Sequence, residues 1–290
     1  MPRDLTAEQV ASMRFTEHAS YDEEAKRALA TGPAILSNWR EIIRIAPPPA
    51  DASSKVREEL AELHEMKNQR SPETANLVRS EQTLAGFTFG QNAYPELAAK
   101  APSMKRLLDL AINETNPIAF ALKKQFDRVR PSTLDPTLNP CIENPGHPSY
   151  PSARAARAYI FAYLFSDVDP DQTGMYFQQA SEIAIRCEEA GIHFGSDTEA
   201  GRELARQIHR ALQAVPTYQQ HLEAARMEFY DGQLPAEFQP ARDPYEILAE
   251  QRKQKSREAA TEAHAADERK PTRNASPGFL KNLFNRITGD

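Results

Sequence analysis

The stretch Ala190-Gly191-Ile192-His193-Phe194-Gly195-Ser196-Asp197-Thr198-Glu199-Ala200-Gly201-Arg202 joins two segments of helical periodicity, Gln172–Ala190 and Ser196–Val215. Gly191 and Gly195 permit a tight turn between them. Ser196-x-x-Glu199 has the form of a capping box, which predicts a helix beginning near Asp197. His193 then lies in the turn just ahead of that helix. Asp197, four residues on, is in reach of one ring nitrogen. A histidine held this way has a fixed tautomer, and its second nitrogen is free as a nucleophile.

Working outward, the chain reads as mostly helical. Strand-like alternation is scarce, and 22 prolines fall at intervals suited to helix boundaries. Further helices are predicted over Tyr21–Ala30, Ser54–Lys67, Ser103–Asn113, Pro117–Phe126, Ala153–Phe165 and Tyr218–Tyr230. The expected fold class is all-α: a single helical-bundle domain over residues 1–230 and a polar tail over 231–290. The break rests on the prolines at 235, 240 and 244 and on Tyr245–Lys270, which is polar on every face. Hydrophobic content of 40% and charged content of 26% are those of a soluble globular protein.

Two other pieces carry chemistry. In Lys123-x6-Arg130-Pro131 the cations are two helical turns apart, so a continuous helix would put both on one face. Asn116 is placed to cap a helix opening at Pro117. In Gly146-His147-Pro148-Ser149-Tyr150-Pro151-Ser152, a proline-restricted turn leads into an Ala-rich helix from Ala153. Ser152 is its expected N-cap, and the backbone N–H groups there suit an anion. Together the pieces describe a pocket for a phosphate-sized oxyanion. Two cysteines, Cys141 and Cys187, form neither a disulfide framework nor a metal-spaced set, so no metal site is expected.

In order and spacing, Lys-x6-Arg-Pro, Tyr-Pro-Ser and Ala-Gly-x-His-x-x-Ser-Asp-x-x-Ala-Gly-Arg resemble the superfamily of type 2 phosphatidic acid phosphatases, class A acid phosphatases and vanadium haloperoxidases. The resemblance runs from Lys123 to Arg202. It implies that His193 forms a phosphohistidine and that Asp197 orients it. It also implies that Lys123, Arg130 and Ser152 bind phosphate oxygens. Two positions depart from the pattern. Arg154 stands where the second motif has the histidine that protonates the leaving group. Cys187 stands where the third motif has an arginine, with Arg186 one step off. Arg154 is therefore read as replacing the charge absent at Cys187, which keeps oxyanion binding without acid catalysis; His147 is a candidate substitute acid.

Three function classes follow: a phosphomonoester hydrolase of altered or reduced activity, a non-catalytic oxyanion-binding or scaffold descendant, and a vanadate-dependent haloperoxidase. No cofactor is expected for the first, vanadate acting there only as a phosphate mimic; vanadate is the cofactor of the third. The expected partner is a small phosphorylated substrate or another oxyanion. A net charge of −6 argues against nucleic acid. No apolar run approaches a membrane span. The N-terminal residues show no signal-like apolar segment, which gives a cytoplasmic expectation. The apolar stripe Phe279, Leu280, Leu283, Phe284 and Ile287 reads as a short terminal helix. It either folds back on the protein or docks a partner or membrane surface; a homo-oligomer is a further expectation.

Overall fold

The computed structural model describes residues 13–17, 19–90 and 92–231, together with 250, 253, 254, 257, 258 and 261. Among them are eight helices of nine residues or more: α1 (Glu23–Thr31), α2 (Ser54–Gln69), α3 (Pro72–Ser80), α4 (Pro102–Phe126), α5 (Ala153–Val168), α6 (Thr173–Glu189), α7 (Gly195–Leu212) and α8 (Pro216–Asp231). The only strands among the described residues are β1 (Thr88–Phe89) and β2 (Asn92–Ala93), an antiparallel pair. The protein is all-α, as its sequence predicts. No helix among the described residues is long and apolar enough to cross a membrane.

α5 is the centre of the bundle. Thirteen of its sixteen residues are buried, because α4, α6, α7 and α8 all pack on it. A helix enclosed on every side is apolar or small all round, and Ala155, Ala156, Ala158, Ile160, Phe161, Ala162 and Leu164 supply that surface. Phe161 meets Phe87 and Phe89 edge-on, with ring centroids 5.8 and 5.7 Å away. Each such side chain contributes about 1.5–3 kcal/mol on full burial. The α5–α7 contact is close at Gly201, where a Cβ would lie 2.4 Å from the Ser152 carbonyl oxygen. The Gly201 of the third motif thus lets α7 lie against the first turn of α5.

Several local expectations change. Pro117 does not open a helix: α4 runs unbroken from Pro102 to Phe126 with Pro117 inside it. An interior proline costs about 3 kcal/mol in isolation, but the surrounding turns bury Glu114, Thr115, Ile118, Ala119 and Phe120 in the bundle, and that packing outweighs the local cost. Lys123 and Arg130 do not share a helix face. α4 ends at Phe126, Asp127 turns left-handed at φ 50°, and Arg130 is extended at ψ 154°, as a residue before proline prefers. α7 begins at Gly195, two residues ahead of Asp197 and close to the expected start. Its entry is held by the Asp197 carboxylate, which accepts the Phe194 N–H at 2.9 Å, while Glu199 pairs with Arg202. Cys141 and Cys187 are free thiols. α3 is an element the sequence reading missed.

By internal contacts the chain divides into residues 1–244 and 245–290. In the second unit the described residues are helical positions between 250 and 261. The apolar stripe at 279–287 lies outside the described residues.

Candidate active site

The loop from Asp127 to Ser152 carries most of the polar groups, and the ends of α5 and α7 carry the rest. Gly191 takes φ +77°, which a side chain would strain, and the turn it makes delivers His193 to the base of this loop. His193 is 3% exposed. Its Nδ1 lies 3.1 Å from Asp197 Oδ2, and its Nε2 lies 3.0 Å from Arg130 Nη1. A guanidinium only donates. Nε2 therefore accepts from Arg130, and the ring proton sits on Nδ1, donated to Asp197. This is the tautomer a nitrogen nucleophile needs.

Asp197 is fixed from four directions. Arg128 Nη1 donates to Oδ1 at 2.6 Å. Oδ2 accepts from Ser149 Oγ at 2.5 Å, from Phe194 N and from His193. Burial opposes its ionisation, but the Arg128 charge and these hydrogen bonds hold it well below the usual carboxylate range. Arg128 lies over the Phe194 ring at 4.0 Å and faces Asp51 at 3.7 Å and Glu59 at 3.5 Å. Burial, with the Arg130 charge beside it, pulls His193 down to about 3. The imidazole is neutral around pH 7, so its Nε2 lone pair is present.

His193 also borders a cavity of about 210 Å³. His193, His147, Arg154, Arg157 and Ile192 line it, with Asp22 and Glu24 among its other walls. Arg130 Nη2 lies 3.0 Å from His147 Nδ1 and donates to its carbonyl at 2.9 Å. The same Nδ1 lies 3.2 Å from the Pro148 carbonyl oxygen, to which a protonated Nδ1 would donate, so its contacts are compatible with either tautomer. Burial and the Lys123 and Arg130 charges keep His147 well below the usual histidine range, so it is no ready acid in the free protein.

The structure thus brings together four of the six residues singled out from the sequence: His193 and Asp197, Arg130 in contact with His193, and Arg154 on the wall of the same cavity. The other two are engaged by backbone groups, Ser152 as the N-cap that the sequence predicts. Lys123 is fully buried behind the loop, donating to the Pro148 and Ser149 carbonyls at 2.7 and 3.0 Å. Burial and Arg130 push its ammonium well down from the usual lysine range. Ser152 is the N-cap of α5. Its hydroxyl accepts the Ala155 N–H, and its own N–H goes to the Asp197 carbonyl. Arg186 turns away and forms a two-pronged ion pair with Glu81.

No protein-family model matches the chain. Part of it is similar to the non-specific acid phosphatase of Providencia stuartii, 26% identical over 143 residues, which are 47% of this chain and 57% of that protein. The non-specific acid phosphatase of Salmonella typhimurium is 30% identical over 113 residues, 38% of this chain and 45% of that protein. The chain spans about half the length of these curated relatives. Among solved structures, a bacterial vanadium-dependent iodoperoxidase shares 18% identity at a TM-score of 0.45, over 58% of this chain and 52% of that one. The relatives match the superfamily that the motifs resemble.

Against the acid phosphatase pattern, the two altered positions are near each other in space. The buried Cys187 thiol feels the Arg154 and Arg130 charges while lying among Val78, Ile142, Ala190 and Ile192. Burial pushes the thiol up, so Cys187 is not a thiolate nucleophile. Sequence reasoning missed Arg128, Ser149 and Arg157. Arg157 had a legible signal, since it lies three residues after Arg154 on a predicted helix and so shares its face. Arg128 had none, because its carboxylate partners at 51, 59 and 197 are remote in sequence.

Proposed function

We propose that the chain is an acid-phosphatase-like hydrolase of phosphomonoesters, working through a phosphohistidine at His193 and weakened by the loss of its leaving-group acid. The observation that carries this reading is the buried relay from Arg128 to Asp197 to His193, with His193 lining one cavity together with Arg154 and Arg157. Phosphate oxygens would take over the donors that Arg130 now gives to His193 and His147. Arg154 would supply the charge that Cys187 lacks. Lys123 and Ser152 act from behind, holding the loop and the head of α5; either reaches the phosphate only if the loop shifts. Attack by Nε2 forms a P–N bond as the P–O bond to the leaving group breaks. Water then hydrolyses the phosphohistidine and releases phosphate.

Without an acid, turnover of poor leaving groups falls by about 10²–10⁴-fold. Aryl phosphates need little protonation, so the purified protein is expected to hydrolyse p-nitrophenyl phosphate slowly, and His193→Ala is expected not to. Orthovanadate should inhibit, because it adopts the five-coordinate geometry of phosphoryl transfer. Equal background rates for both proteins would favour a non-catalytic oxyanion-binding role. As a haloperoxidase cofactor, vanadate would have the same His193 but would lack the second-motif histidine, so that reading ranks below hydrolysis.

A further inference from the structure

We propose that Arg157 forms a second anion subsite in this cavity, so that the chain takes substrates whose leaving group is itself anionic, phosphoric anhydrides being the simplest class. The inference rests on the phosphatase reading for its chemistry, but the subsite can be tested by binding alone.

Arg157 lies three residues beyond Arg154 on α5, and both line the cavity with His193 and His147. Its side chain is 8% exposed. One edge of the guanidinium is used, since Nη2 donates to Glu24 Oε1 at 2.8 Å. Its Nε is buried with no hydrogen-bond partner. A buried donor without an acceptor is costly; Nε itself is closed to solvent, so a ligand meets Arg157 through the part of the side chain that lines the cavity. Arg128 also has Nε and Nη2 without hydrogen bonds, but those face the Asp51 and Glu59 carboxylates. Arg154 is only loosely engaged, at 3.4 Å from the Val78 carbonyl. The first turns of α5 therefore present two guanidiniums, Arg157 about 4.5 Å farther along the axis than Arg154.

The chemistry gives this pair a purpose. Arginine cannot donate a proton near neutral pH, so nothing at position 154 protonates a departing oxygen. The P–O bond breaks with its electron pair left on that oxygen, and the leaving group departs as an anion. A cation stabilises such a group where an acid would have neutralised it. A diphosphate meets both conditions: its leaving phosphate departs without protonation and carries further negative charge for Arg157. Asp22 and Glu24 temper the site. Asp22 caps α1 by accepting the Ala25 N–H, and Glu24 neutralises part of Arg157.

The test uses the full-length His193→Ala protein, which holds an anion without turning it over. Pyrophosphate and inorganic phosphate are titrated by calorimetry without divalent metal. Pyrophosphate is expected to bind about tenfold or more tightly than phosphate. Adding Arg157→Ala should close that gap, Arg157→Lys should keep part of it, and Glu24→Gln should widen it. Equal affinity for the two anions overturns the subsite. So does a preference that Arg157→Lys and Glu24→Gln leave unchanged, even if Arg157→Ala fails to fold. Turnover separates the two readings. His193-dependent hydrolysis of p-nitrophenyl phosphate without hydrolysis of pyrophosphate sinks this inference alone. A retained pyrophosphate preference with no turnover supports the subsite and sinks the phosphatase.

Discussion

At the scale of single residues the account turns on an exchange of arginines. Arg154 lies on the cavity wall with His193, and its charge reaches the Cys187 thiol. If it replaces the cation missing at Cys187, Arg154→Ala should weaken orthovanadate binding by about 1.5–3 kcal/mol, the worth of a charge-assisted hydrogen bond. Arg154→His alone restores an acid but removes a cation, so it should help little. Arg154→His with Cys187→Arg should raise kcat/KM for alkyl phosphates well beyond the sum of the two single changes. That non-additivity, read from a double-mutant cycle, marks residues acting in one site. Additive effects would separate them. The same scale shows what could be read in advance. The His193–Asp197 pair was legible because a four-residue spacing at a helix entry fixes local geometry. The Arg128 relay was not, because its hydrogen bond to Asp197 spans 69 residues.

At the scale of elements, the site depends on how closely α7 meets α5. At Gly201 a Cβ would lie 2.4 Å from the Ser152 carbonyl oxygen and 2.9 Å from Ala155 Cβ. Gly201→Ala should therefore cost about 1–3 kcal/mol by overpacking, seen as a lower urea midpoint. Gly174→Ala, with nothing within 4 Å, should stabilise by about 0.5–1 kcal/mol through helix propensity. Glu188, on α6 beside the α7 entry, is pushed up to about 7 by burial. A raised acid is easier to protonate in the fold than in the unfolded chain. Its contribution is thus fully present below pH 4.5 and lost as pH rises towards 7. His193 has the opposite sign: its depressed value costs stability as pH falls from 6.5 towards 3. The two contributions oppose each other between pH 4.5 and 6.5, so Glu188→Gln should make the melting temperature climb more steeply with pH in that window and leave the His193 limb below 4.5 unchanged.

At the scale of the molecule, helical content and most helix positions were legible, because apolar periodicity and proline placement act locally. The unbroken α4 was not. Pro117 argues for a break on local grounds, and only packing along the whole length of the helix overrides it. The proposed division into a helical domain over 1–230 and a tail over 231–290 has its own check. Limited proteolysis should leave a stable core lacking the tail, and early cutting between Lys123 and Arg202 would oppose it. Gln251–Asp290 holds nine Lys/Arg and five Asp/Glu, so a docking tail would favour an anionic surface. Replacing Leu283 and Phe284 with serine should leave the melting temperature unchanged if the tail docks elsewhere. A clear drop would mean that it packs on its own chain.

The central claim is that His193 Nε2 becomes phosphorylated. The direct measurement is a rapid alkaline quench during p-nitrophenyl phosphate turnover, followed by mass spectrometry of the peptide containing His193. Alkali preserves a phosphohistidine. The expected result is one phosphoryl group on His193, absent from His193→Ala and formed with a burst of nitrophenol. Steady turnover with no modified histidine, and with His193→Ala equally active, would contradict the account.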